Sequence, residues 1–231
     1  MRLDRMLSNA HAGTRSQVKK LVKEKRVKVN GVLAKTSSMQ IDEVNDEVTL
    51  DDIPVIYEEH MYLMLHKPAG YISATEGNVP TVMDLIYEDN NGLFPCGRLD
   101  KDTEGLLLIT NDGPLAHTLL SPKHHVEKEY YVEHALDMSE DDIARLQSGI
   151  SYNGESYKPA KVHMISPRSC TLTITEGKYH EIKFMFQALG DKVTDLKRLR
   201  MKNLVLDECL KPGEYRYLTE EEIADLKADE Q

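Results

Sequence analysis

Between Gly97 and Gly105 the chain reads Gly-Arg-Leu-Asp-Lys-Asp-Thr-Glu-Gly and then turns abruptly apolar, Leu106-Leu107-Leu108-Ile109, before Thr110-Asn111-Asp112-Gly113. A carboxylate in such a loop can act as nucleophile, general base or general acid, provided a rigid scaffold aims it. A glycosidase-like hydrolase would use Asp100 and Asp102 as a pair. Two residues apart in an extended segment, they would point to opposite faces, which argues against that chemistry. The segment from Leu106 to Thr110 is short and closed by Asn-Asp-Gly. It reads as a fully buried strand ending in a turn. The polar run is then a tight loop pinned against buried structure, unless it is an ordinary charged surface loop.

Other stretches could bring partners to this loop. In Glu176-Gly177-Lys178-Tyr179-His180-Glu181-Ile182-Lys183-Phe184-Met185-Phe186, the residues Ile182, Met185, Phe186 and Leu189 fall on one face of a helix, and Gly190 stops it. Lys128-Glu129-Tyr130-Tyr131-Val132 is β-branched and aromatic, hence strand-like. Met61 to His66 is a further strand candidate that ends at Lys67-Pro68-Ala69-Gly70, a local turn signal. Helices are expected over Thr81 to Tyr87, Pro114 to Leu120, Ser139 to Leu146 (Ser139 as N-cap) and after the Thr219/Glu222 capping box. The stretches around Val162 to Ile165 and Thr171 to Thr175 alternate as strands. Strands with scattered helices and no regular βαβ repeat predict an α+β class with a mixed, mainly antiparallel sheet. His124 and His125 are adjacent, but no third ligand sits at helical spacing, so no metal site is expected.

Composition frames the partner. The 231 residues carry 29 Lys/Arg against 39 Asp/Glu, a net of -10. Residues 1–35 hold ten Lys/Arg and only Asp4 and Glu24 as acids, leaving the remainder strongly acidic. That asymmetry points to a basic nucleic-acid-binding module joined to an acidic body. In the module, Leu3, Met6, Leu7 and Ala10 share a helical face, Gly13 breaks that helix, and Thr14 caps a second. There Val18, Leu21 and Val22 face inward, with Arg15, Lys19, Lys20 and Lys23 outward. Arg26 to Val32 alternates around Asn30-Gly31, a hairpin signal. Acids return after residue 42, which puts the domain boundary near residue 58, with domains 1–58 and 59–231. No apolar run approaches the roughly 18 residues of a membrane helix. Three dispersed cysteines, Cys96, Cys170 and Cys209, and the lack of a signal-peptide core fit a reducing cytoplasm.

The loop string resembles the signature of the RsuA-type pseudouridine synthases, which modify ribosomal RNA: Gly-Arg-Leu-Asp, two variable residues, Thr, one variable residue, Gly, then an apolar strand. The N-terminal module resembles the S4 RNA-binding domain through Arg2, Leu3, Asp4, Arg15, Val27, Val29, Asn30 and Gly31. By this resemblance Asp100 is the catalytic aspartate, Lys183 pairs with it, and Tyr130 lies against the target base. Arg98 contacts RNA or fills the space left by the flipped base. Further RNA contacts are implied at Lys67, Lys128, Lys178, Lys197 and Arg198, and in the module at Arg2, Arg5, Arg15, Lys19, Lys20 and Lys23. The carboxylate must be ionised, and no metal or redox cofactor is implied. Three departures stand out: Glu181 for the usual glutamine, Phe184 for the usual arginine, and Met201-Lys202-Asn203 where Ile-Gly-Gly is common. Within the family, the single S4-like module and short acidic tail resemble the enzymes acting at uridine 516 of 16S rRNA. Action on 23S rRNA, or a catalytically silent RNA-binding assembly factor, are the alternatives. A monomer is the expected state.

Overall fold

The computed structural model describes residues 1–10, 12–43, 45–55, 60–88 and 92–228. The chain divides into two units, Met1–His60 and Met61–Gln231; the boundary expected near residue 58 lies outside the described residues.

In the first unit, α1 (Leu3–Asn9) and α2 (Arg15–Lys23) pack over β1 (Val27–Val29), β2 (Val32–Leu33), β3 (Val48–Leu50) and β4 (Ile53–Pro54), joined in the order β2-β1-β3-β4. Leu3, Met6, Leu7, Val18, Val22, Val27, Val29 and Val48 form its core. Thr14 and Gln17 close a reciprocal capping box at the start of α2. The β1–β2 hairpin turns on Asn30 and Gly31, at φ 51° and 75°. Two successive positive φ angles are what a tight two-residue turn demands of an Asn-Gly pair.

The second unit is built on β5 (Tyr62–Lys67), β6 (Phe94–Cys96), β7 (Glu104–Thr110), α3 (Gly113–Leu120), β8 (Lys128–His134), α4 (Glu140–Ser148), β9 (Ile150–Tyr152), β10 (Glu155–Tyr157), β11 (Lys161–Ser166), β12 (Ser169–Ile174), α5 (Glu181–Ala188), β13 (Val193–Met201), β14 (Leu204–Val205), β15 (Tyr215–Tyr217) and α6 (Glu220–Lys227). The main sheet runs β11-β12-β8-β13-β7-β5-β15, with β14 on β13 and β6 on β7. Every pairing is antiparallel except β13 with β7. The class is therefore α+β with a mixed, mainly antiparallel sheet, as the pattern predicts. No helix among the described residues is long and apolar enough to cross a membrane.

The unbroken apolar run of β7 follows from burial on both faces. Leu107 and Ile109 join Leu63, Leu65 and Val132 in a core that also takes Met185 and Phe186 of α5 and Leu146 of α4. Leu106 and Leu108 point the other way, into a second core with Met64, Leu115 and Leu119 of α3, and Leu226 of α6. Side-chain alternation thus splits one hydrophobic string between two layers. The same parity decides which cations of β8 and β13 face inward.

Candidate active site

The loop between β6 and β7 leaves the sheet at Gly97 and re-enters at Gly105. Gly105 has φ +104°, and a Cβ there would lie 2.2 Å from the Arg198 carbonyl oxygen and 2.6 Å from its nitrogen. Only glycine lets β7 approach β13 so closely, and this is where the two strands run parallel, Gly105 opposite Arg198.

The loop is held from behind by its backbone. The Lys67 ammonium, on a fully buried side chain, donates to the carbonyls of Thr103 (2.7 Å), Asp100 (3.0 Å), Pro68 (3.1 Å) and Lys101 (3.3 Å). Burial lowers it from 10.5 to about 8, against the pull of Asp102, Glu104 and Asp100. Ser73 Oγ donates to the Leu99 carbonyl and accepts from the Leu99 N–H. Gly70 N–H donates to the Lys101 carbonyl, and Thr103 N–H closes a turn on the Asp100 carbonyl. These contacts fix the loop's backbone, with Arg98, Lys101 and Asp102 exposed and Leu99 and Thr103 turned inward.

Lys183, on the first turns of α5, lies with Nζ 2.9 Å from Asp100 Oδ2 and 2.6 Å from Asp102 Oδ1. His180 Nε2 is 3.5 Å from Asp100 Oδ1. Burial would lower the Lys183 ammonium, but its bonds to Asp102 and Asp100 outweigh that and hold it above the usual lysine range. The expectation that Asp100 and Asp102 point to opposite faces is corrected here. The Thr103→Asp100 turn replaces an extended segment, so both carboxylates meet one ammonium. They differ in burial: the Asp100 side chain is 25% exposed and that of Asp102 is 73%. Asp100 lines a narrow cleft with Arg98, Tyr130, Lys178, Glu181 and Lys183, floored by Leu99, Ile174 and Leu196. Its empty space, including the part open to solvent, is about 400 Å³. Tyr130 is nearly buried, and burial pushes its hydroxyl above the usual tyrosine range, opposed by Arg198.

Three cations expected on the RNA side are buried instead. Besides Lys67, Lys128 donates to the carbonyls of Val126 (3.0 Å) and Glu176 (2.9 Å), and burial lowers it to about 8. Arg198 donates through Nε to the Leu106 carbonyl at 2.7 Å. Strand parity is the reason: Lys128 shares the inner face of β8 with Tyr130, and Arg198 alternates with the half-buried Lys197 on β13. Lys178 is half-buried, with Nζ 2.6 Å from the Ser156 carbonyl, and Arg98 is exposed at the cleft mouth. In the first unit, Arg5, Arg15, Lys19, Lys20 and Lys23 are exposed, while Arg2 forks onto Asp4 at 2.6 and 3.0 Å.

The departures also find their places. Phe184 joins an aromatic group, stacking on Tyr152 at 5.8 Å between centroids and meeting His180 at 5.7 Å, while Tyr179 stacks on His180 at 3.8 Å. Lys202 occupies the β13–β14 turn at φ 52° and donates to the Leu226 and Ala228 carbonyls at the end of α6. Ser73 and His180 were not singled out by the sequence. Neither forms part of a local chemical pattern, and only the fold brings them to the loop.

The profile of the RNA pseudouridylate synthase family matches residues 61–188, and that of the S4 domain matches residues 1–48. The chain belongs to the RNA pseudouridine synthases. The family is one of isomerases, so the loop, cleft and basic N-terminal module belong to an RNA-modifying enzyme. Similar curated proteins include an uncharacterized RNA pseudouridine synthase of Bacillus subtilis, 48% identical over 96% of this chain and 97% of that one. The ribosomal small subunit pseudouridine synthase A of Haemophilus influenzae is 42% identical over 98% and 99%. A crystal structure of a pseudouridylate synthase superposes with TM-score 0.70 at 41% identity, covering 98% of this chain and 99% of that one.

Proposed function

We propose that this enzyme converts uridine to pseudouridine in 16S rRNA, at uridine 516, with Asp100 as its catalytic carboxylate. The observation that carries the chemistry is the convergence of Asp100, Lys183 and Tyr130 on one cleft. Isomerisation breaks the N1–C1′ glycosidic bond, turns the uracil within the site and joins C5 to C1′; the C5 hydrogen leaves as a proton and N1 ends protonated. The base must first leave its stack, at a cost of a few kcal/mol that contacts in the pocket offset. Tyr130, presenting a neutral ring, lies against the flipped base. Asp100 acts as an anion beside the Lys183 ammonium, which prevents an uncompensated charge in a half-buried site. Arg98, exposed at the mouth, takes the space the base leaves.

The exposed cations of α2 hold structured RNA through its phosphates. The protein works as a monomer. The small-subunit assignment is supported by relatives named for that subunit. It is tested by carbodiimide treatment and primer extension on 16S and 23S rRNA from cells lacking the protein. Loss of one stop at uridine 516, restored by the wild-type chain and not by Asp100→Asn, is the expected result. A stop lost only in 23S rRNA would move the substrate to the large subunit.

A further inference from the structure

Two polar side chains of the cleft are buried with hydrogen-bonding capacity to spare. Glu181, 3% exposed, accepts from the Lys178 N–H through Oε2 at 2.8 Å, but its Oε1 is buried without a partner. Thr103 is 2% exposed; its carbonyl is taken by Lys67, while its Oγ1 is also buried without a partner. Both residues line the cleft beside Asp100 and Tyr130. An unpaired carboxylate oxygen out of water is costly, and folding alone gives no return for it. Burial, with Glu176 nearby, raises the Glu181 carboxyl group above its usual range, against the bonds it receives from the backbone around Gly177 and Lys178. The two spare groups differ in character. A carboxylate oxygen accepts, whereas the threonine hydroxyl has a hydrogen to donate.

A ligand that offers an N–H to Glu181 Oε1 and an acceptor oxygen to Thr103 Oγ1 would satisfy both. The imide edge of uracil does so, with N3–H between two carbonyls. We propose that Glu181 and Thr103 read this edge of the flipped base, Glu181 Oε1 accepting from N3–H and Thr103 Oγ1 donating to a neighbouring carbonyl oxygen. The inference rests on the function proposed above and gives it a basis for base selection. Cytosine would set an N3 lone pair against the carboxylate oxygen, leaving a buried acceptor facing an acceptor. Sites built around a substrate N–H reject analogues lacking it strongly for this reason.

The test uses the full-length protein and its RNA substrate, with either uridine or 3-methyluridine at the target position. Tritium release from C5-labelled uridine is compared among wild type, Glu181→Gln, Glu181→Leu and Thr103→Val, alongside the affinity of each for both RNAs. Expected is a fall of about 10- to 100-fold for Glu181→Leu, the scale of one lost hydrogen bond to a charged group, and a smaller fall for Glu181→Gln, which keeps an accepting oxygen but not the charge. Wild type prefers the uridine RNA over the methylated one, and Glu181→Leu loses that preference. If Glu181→Leu does not fold, Thr103→Val is read on release alone, with a fall of about 3- to 10-fold expected for one lost neutral hydrogen bond. Active wild type with Glu181→Leu within threefold, or with its preference for the uridine RNA intact, overturns the edge-reading role alone, and so does a folded Thr103→Val within threefold. Wild type that releases no tritium from any ribosomal RNA overturns the proposed function and this role together.

Discussion

Replacing Lys67 by methionine keeps most of the side-chain volume and removes one ammonium from behind the loop that carries Asp100. Four carbonyls then lose a donor. Those of Asp100 and Lys101 retain backbone donors in Thr103 and Gly70. Taking the carbonyls of Pro68 and Thr103 as left unpaired, at about 1–3 kcal/mol each, the gross loss is about 2–6 kcal/mol. Against it stands relief from burying a charge. The fall of Lys67 from 10.5 to about 8 corresponds to roughly 3 kcal/mol. The two largely offset, so the net loss of stability is expected to stay below about 3 kcal/mol. Activity should suffer far more. Misplacing a reacting group by about 1 Å costs on the order of 100-fold, and three of the four carbonyls belong to the loop that carries Asp100. Urea denaturation would read the first quantity and single-turnover tritium release the second. A folded Lys67→Met protein with a rate within threefold of wild type would refute the anchoring role.

Further outcomes follow from the same contacts. Gly105→Ala must push β7 from the backbone of Arg198 and should destabilise by about 3 kcal/mol or more. Gly70→Ala, with the same sign of φ but open space, should cost about 1–2 kcal/mol; equal melting temperatures for the two would deny the close approach. Changing Lys19, Lys20 and Lys23 together to glutamine should lower RNA affinity at low salt. It should also reduce the salt slope by roughly 2–3 while the rate at saturating RNA is kept; an unchanged slope would remove α2 from the RNA face. Lys202→Met should cost about 1–2 kcal/mol by stripping donors from the end of α6, seen as a lower melting temperature and faster proteolysis of the C-terminal helix. Unaltered stability would make that contact incidental.

Local sequence signals carried far where the chemistry is local. Asn30-Gly31, Thr14, Ser139 and the Thr219/Glu222 pair each specify a turn or cap by their own hydrogen bonds, and all form. The unbroken string of β7 announces a strand covered on both faces, because no half-exposed strand would be apolar at every position. Other features depended on tertiary placement. Asn153-Gly154 carries the same hairpin signal as Asn30-Gly31 and joins β9 to β10, yet the polar residues around it masked the strands. Asp100 and Asp102 were read with extended geometry, whereas a turn brings them to one ammonium. Lys67, Lys128 and Arg198 were read by charge, although Lys67 ends a strand buried on both faces and strand parity turns Lys128 and Arg198 inward, where each donates to backbone carbonyls. Sequence names the cations but not the side of the sheet they take.

The central claim is that Asp100 is the carboxylate on which isomerisation depends. Its most direct measurement is tritium release from C5-labelled uridine in 16S rRNA, wild type against Asp100→Asn, with binding of the same RNA followed in parallel. Wild type should release tritium in step with pseudouridine formed, while Asp100→Asn binds comparably and releases on the order of 1,000-fold less or none. Release by folded Asp100→Asn within tenfold of wild type would contradict the account.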